Sequence, residues 1–270
     1  MSEDDGSRRG RGRLLLVPAP LDFGCAGALP SLDEVLPLGV IRQAAGLAHW
    51  AVENAKSARA FLKRVDALVP LAQPLQAIAI AELPRAPKGG AARASPAVGD
   101  AADRAWSDLL APALAGHDVG LLSEAGLPAV ADPGAQLVQT AHRLGIAVVA
   151  LAGPSSLLLA LAASGLNGQS FAFVGYLPIE ADRRAQRIRE LEALSRRERQ
   201  TQLIIETPYR NPALLGALLA QLRPSTRLAV SCGLTLATGW TRSDTVAGWS
   251  GRNAATLPAD VPAVFALLGE

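Results

Sequence analysis

The side chains best suited to chemistry stand where apolar runs give way to Gly, Pro and Ser. Residues 119–122 run into Ser123-Glu124-Ala125-Gly126-Leu127-Pro128 and then Asp132-Pro133-Gly134, and residues 146–151 run into Gly153-Pro154-Ser155-Ser156. Small residues let a ligand approach the backbone closely and the prolines stiffen the loop. Glu124, Asp132 and the serines offer acceptors for a sugar or an ammonium group. These loops contain no P-loop and no G-x-G-x-x-G, so a phosphate-rich nucleotide is not the matching guest. The matching guest is a sulfonium cofactor such as S-adenosylmethionine, with a positive centre, an adenine, a ribose and an amino-acid end but no phosphate. The same residues also suit an ordinary strand-to-helix loop, with Asp132 as one helix N-cap and a serine as the next.

Two further segments carry reactive groups. Glu206-Thr207-Pro208-Tyr209-Arg210 puts a carboxylate, an aromatic ring and a guanidinium at a strand end; a buried Glu206–Arg210 pair accounts for it equally well. Glu53-Asn54-Ala55-Lys56 follows another strand, and Glu53 there is also simply an acid favoured at a helix N-terminus. If a hydroxyl is to be alkylated, a nearby base or cation helps it lose its proton, and Glu53, Lys56 and Arg210 are the catalytic candidates. Residues 180–199 mix Arg183, Arg184, Arg187, Arg189, Arg196, Arg197 and Arg199 with acids. Glu180/Arg184 and Glu192/Arg196 have i,i+4 spacing. This is a solvated helix or an RNA-binding face.

The elements that position these groups follow from periodicity. Between strands 119–122 and 146–151, Leu137, Val138, Ala141 and Leu144 mark one face of a helix over 136–144. That is a βαβ unit with ligand-type loops at both strand ends. Upstream we expect strands at 14–17, within 38–47, at 49–52 and at 75–80. Helices are expected at 54–65, with Ala58, Phe61, Leu62 and Val65 as its apolar stripe, and at 101–114. Downstream a helix ends at Gly165, followed by strands at 171–174, 203–205, 227–231, 245–247 and 263–268, with helices at 180–199 and 213–222. The division is a tail over 1–13, an N-terminal domain over 14–153 and a C-terminal domain over 154–270. Residues 84–99 have no periodicity and read as a long surface loop.

Half of the 270 residues are hydrophobic but only 4% are aromatic. A core of Ala, Leu and Val favours helices packed on sheets. With 26 Lys and Arg against 24 Asp and Glu, the charge of +2 neither demands nor excludes a nucleic-acid partner. Cys25 and Cys232 stand alone, and His49, His117 and His142 are dispersed, so no metal-ligand spacing exists. No apolar run reaches the roughly 18 residues of a membrane span and no signal-like start is present. We expect a cytoplasmic chain with no membrane partner.

In order along the chain, Leu16-Val17-Pro18-Ala19-Pro20, Val52-Glu53-Asn54-Ala55-Lys56, Ser123 to Pro128, Asp132-Pro133-Gly134, Gly153-Pro154-Ser155, Phe173-Val174-Gly175-Tyr176-Leu177-Pro178 and Glu206 to Arg210 together resemble the tetrapyrrole methylase-type (class III) S-adenosylmethionine-dependent methyltransferases. The nearest branch methylates ribose 2′-hydroxyls of small-subunit ribosomal RNA. The resemblance implies two α/β domains, the N-terminal sheet mostly parallel and the C-terminal sheet mixed, with the cofactor in the cleft between them, and a homodimer. It implies cofactor contacts from Pro18, Ser123, Glu124, Ala125, Gly126, Val130, Ala131, Asp132, Ser155, Ser156 and Tyr209. The partner it implies is ribosomal RNA or the small ribosomal subunit. That branch usually has Asp at Asn54, Arg at Lys56 and His at Tyr209, and its Glu-Leu-Thr-Lys appears here as Gly233-Leu234-Thr235-Leu236. These departures fall on the substrate side. A small-molecule substrate such as a tetrapyrrole, or cofactor binding without catalysis, are the competing functions.

Overall fold

The computed structural model describes residues 10–22, 24–25, 29–84, 100–249 and 257–270. Most of the expected tail and all but the first residue of the expected loop 84–99 lie outside the described residues. Two compact units form, Met1–Pro20 with Ser31–Pro154, and Leu21–Pro30 with Ser155–Glu270.

The first unit contains β1 (Leu14–Leu16), α1 (Leu32–Val35), α2 (Leu38–Gly46), β2 (His49–Val52), α3 (Ala55–Asp66), β3 (Ala79–Glu82), α4 (Asp100–Asp108), α5 (Ala111–Leu114), β4 (Val119–Leu122), α6 (Ala135–Arg143) and β5 (Val148–Ala150). Its strands pair in the order β3-β2-β4-β1-β5, every pair parallel. Parallel strands need both faces covered. Ile41, Ala44, Phe61 and Leu62 of α2 and α3 pack on one face with Leu15, Trp50 and Leu122. Ala113, Leu137 and Ala141 of α5 and α6 pack on the other with Leu14, Val119 and Leu121. All C-terminal strand ends therefore share one edge, which is where open α/β sheets place ligands. The chain enters β1 through Arg11, which donates to Leu144 O at 2.5 Å, and Arg13, paired with Asp118 at 2.6 Å. The guanidinium of Arg13 holds the Asp118 carboxyl below its usual range.

The second unit contains α7 (Ser156–Ser164), β6 (Phe171–Gly175), α8 (Ala181–Glu198), β7 (Thr201–Ile205), α9 (Asn211–Gln221), β8 (Arg227–Cys232), β9 (Trp240–Thr245), α10 (Val246–Trp249) and β10 (Ala263–Leu268). Its sheet runs β6-β7-β10-β8-β9, parallel between β6 and β7 and antiparallel elsewhere. Ile188, Leu191, Leu214, Leu218 and Trp249 cover one face, and Leu157, Ala160 and Leu161 of α7 cover the other. Leu21–Pro30 belongs here, although the sequence reading keeps it with the N-terminal domain. Burial, then the charges of Asp22 and Asp260, push the Cys25 thiol of that segment up.

Several local expectations are corrected. Residues 38–46 are helix, not strand: Pro37 opens it, and Val40, Ile41, Ala44 and Ala45 bury one helical face. Residues 75–77 form a 3₁₀ turn, so the strand begins at Ala79. The helix expected over 101–114 breaks into two, with Pro112 in the first turn of the second. Residues 246–249 are helical, and the edge strand lies earlier, at 240–245. Glu192 does not pair with Arg196. It is buried and accepts hydrogen bonds from Arg223 N at 2.8 Å and from the Thr226 hydroxyl, tying α8 to the turn before β8.

Candidate active site

The first unit gathers most of the sequence-derived candidates at the C-terminal edge of its sheet. Glu53 follows β2 and its backbone N–H donates to Leu122 O at 3.1 Å, which sets it beside the end of β4. Its carboxylate accepts from Glu124 N at 3.3 Å. Ser57, in the first turn of α3, donates its hydroxyl to Glu124 Oε1 at 2.8 Å. The α3 terminus is fixed by Asn54, whose Oδ1 accepts from Lys56 N and Ser57 N at 2.8 and 3.3 Å, and by Glu82, whose carboxylate accepts from Ala55 N at 2.9 Å. The loop after β1 joins the same edge: Ala19 and Gly126 exchange two backbone hydrogen bonds of 2.9 and 3.0 Å. Gly153 packs so closely on Pro18 that a Cβ there would stand 2.3 Å from the proline ring.

The loop from Gly126 to Gly134 has an unusual backbone. Ala129 and Ala131 take φ of 66° and 63°, and Gly134 takes 128°. Left-handed alanines cost roughly 1–2 kcal/mol each, which marks this loop as held by its surroundings rather than by local preference. Gly134, not Asp132, is the N-cap of α6, so Asp132 is released from that structural duty. Its carboxyl is pushed up to about 7, by burial first and then by the charges of Glu53 and Glu124. Burial also raises Glu53, and the nearby Glu124 charge adds to it, against a lowering by the Glu124 N–H. Three carboxyls therefore feel one another at this edge, a potential that favours a cation. Ser123 is 3% exposed, and its hydroxyl has no hydrogen-bond partner among the described residues. A buried orphan hydroxyl beside mutually repelling acids suits a small cationic ligand with hydrogen-bonding groups. Among the described residues no group of three His, Cys, Asp or Glu is placed to hold a metal ion.

The remaining candidates divide between the units. Lys56 is exposed on α3, and Val130 and Ala131 are exposed in the loop. Ser155 and Ser156 open α7 in the second unit, where Ser155 takes the N-cap position without a side-chain capping bond. Arg210 lies in a 3₁₀ turn after β7 and pairs with the buried Glu206 at 2.9 Å, and Tyr209 beside it is exposed. Sequence reasoning missed Ser57 and Glu82. Ser57 stands one helical turn after Glu53, a spacing that could have flagged it.

Residues 54–245 match the family described as Tetrapyrrole (Corrin/Porphyrin) Methylases. The chain belongs to this family. Among methylase relatives, a Mesorhizobium japonicum protein named Ribosomal RNA small subunit methyltransferase I is 39% identical over 134 residues, 50% of this chain and 44% of that protein. A Vibrio cholerae protein of the same name is 39% identical over 97 residues, 36% of this chain and 32% of that protein. The matched segments thus span less than half of these curated relatives. The solved structure of the methyltransferase CobJ, at 13% identity and a TM-score of 0.54, covers 96% of this chain and 100% of its own and shows the shared methylase fold.

Proposed function

We propose that this chain is an S-adenosylmethionine-dependent methyltransferase whose acceptor is a ribose 2′-hydroxyl of small-subunit ribosomal RNA. The observation that carries the reading is the edge where Glu53, Glu124 and Asp132 meet the orphan hydroxyl of Ser123. The names of its relatives support the RNA acceptor, and family membership supports the cofactor. When bound, the cofactor supplies a methyl carbon activated by a sulfonium. Glu124 and Asp132 present negative charge to such a cation, Ser123 offers its free hydroxyl, Gly126 allows close backbone approach, and Gly153 lets Pro18 pack against the loop. Pro18, Ala125, Val130, Ala131, Ser155 and Ser156 complete the proposed cofactor contacts.

Glu53 is the proposed base. Its raised pKa improves it as a proton acceptor for the ribose hydroxyl, whose oxygen would take the methyl carbon as the carbon–sulfur bond breaks and the sulfur leaves as a neutral thioether. Lys56 and Arg210 are proposed to steady the developing alkoxide. Holding the reactants aligned can contribute several kcal/mol of barrier lowering. Within the same reading the protein works in the cytoplasm as a homodimer, a state that light scattering measures directly.

The test is transfer of labelled methyl groups from S-adenosylmethionine into total RNA of cells lacking the protein, beside calorimetry with the cofactor alone. Label in ribosomal RNA at a ribose oxygen supports the proposal. Cofactor binding with label only in small molecules moves the acceptor to another class, and a folded protein that binds no cofactor refutes the reading.

A further inference from the structure

The chain has two tyrosines, and both stand out from the same end of the second sheet. Tyr176 follows β6 and is 58% exposed, and Tyr209 follows β7 and is 70% exposed. These strands are parallel neighbours, with Phe173 opposite Leu203 and Gly175 opposite Ile204, so both tyrosines follow strands that end on the same side of the sheet. Each sits on fixed backbone. Tyr176 lies between Gly175, in the left-handed region at φ 74°, and the buried Leu177. Tyr209 lies in a turn opened by Pro208, closed by Arg210 N donating to Thr207 O at 2.9 Å and anchored by the Glu206–Arg210 pair.

A basic flank continues from Tyr176. Arg184 donates to Ile179 O at 2.9 Å and ties the segment to α8. Arg183 and Arg187, one helical turn apart, are exposed, and their acidic neighbours Glu180 and Glu190 sit at 3.9 and 3.3 Å. Such exposed pairs are weak and exchange readily for phosphate. Exposed aromatic faces beside guanidinium groups are the chemistry of single-stranded RNA recognition, because every base has a face to stack and a duplex hides it.

We propose that Tyr176 and Tyr209 form a stacking platform for unpaired bases of the RNA acceptor, with Arg183 and Arg187 contacting its phosphates. This rests on the RNA reading above and moves Tyr209 from the cofactor to the acceptor.

The test is fluorescence anisotropy with a labelled single-stranded oligoribonucleotide and its duplex, alongside calorimetry with S-adenosylmethionine. Tyr176→Ala and Tyr209→Ala should each weaken single-strand binding on the order of tenfold. Their phenylalanine counterparts should bind as wild type, and Tm of Tyr209→Ala should stay constant. Arg183→Gln with Arg187→Gln should flatten the salt dependence by roughly 0.7 per lost phosphate contact. Alanine variants that bind RNA as wild type, or duplex held as tightly as single strand, overturn the platform. Loss of cofactor affinity in Tyr209→Ala returns that ring to the cofactor and overturns it too. A wild-type protein that binds cofactor but no RNA refutes the RNA reading itself, and the platform falls with it.

Discussion

Replacing Asp132 with asparagine isolates the effect of crowding three carboxyls at one sheet edge. With its carboxyl pushed up to about 7, Asp132 keeps a proton in the folded state that the unfolded chain releases near pH 4. Stability is therefore greatest in acid and falls as pH rises from about 4 through about 7. Without screening, the rise from 3.8 to about 7 is worth about 4 kcal/mol. The group is only partly buried, and solvent and salt reduce this to on the order of 1–2 kcal/mol. The pH-dependent part of the difference between Asp132→Asn and wild type should therefore be small near pH 3, below the unfolded carboxyl's range. By about pH 8 it should favour the variant by that 1–2 kcal/mol. Urea unfolding across this range, without cofactor, gives the comparison. A difference that is constant with pH, or that favours wild type increasingly toward high pH, refutes the argument. The same variant should bind S-adenosylmethionine more weakly at neutral pH, since it lacks the charge that destabilises the empty protein.

Other perturbations follow from single contacts. Gly153→Ala drives a Cβ against Pro18, so unfolding should show a loss of about 1–3 kcal/mol and calorimetry a weaker cofactor complex. Ser57→Ala removes the donor to Glu124; cofactor affinity should fall several-fold, about 1 kcal/mol, while Ser57→Thr restores it. Glu192→Ala strands the Arg223 N–H and the Thr226 hydroxyl and should cost about 2–4 kcal/mol in urea unfolding, with no change in cofactor affinity per folded molecule.

What the sequence makes legible is what repeats at short range. The α3 stripe of Ala58, Phe61, Leu62 and Val65 is buried in full, because a helix facing a sheet has one way to hide those groups. Residues 38–46 misled because Leu38, Val40 and Ile41 also suit a strand. The helix prevails when Ala44 and Ala45 join Val40 and Ile41 on one buried face. At the site, the acidic residues are visible as types, but their coupling is not. Ser57 and Glu124 lie 67 residues apart, and only the adjacency of β2 and β4 brings them together. The release of Asp132 from capping depends on the backbone at Gly134, whose φ of 128° no spacing rule announces.

Because Leu21–Pro30 belongs with the second unit while the residues on either side belong with the first, the chain changes unit at three places rather than one. A single crossover between two related genes near codon 154 would therefore deliver a second unit stripped of its N-terminal strap, or one strapped by a foreign segment. Exchange of intact halves needs three coordinated breakpoints. A chain divided in this way varies by point substitution more readily than by trading modules.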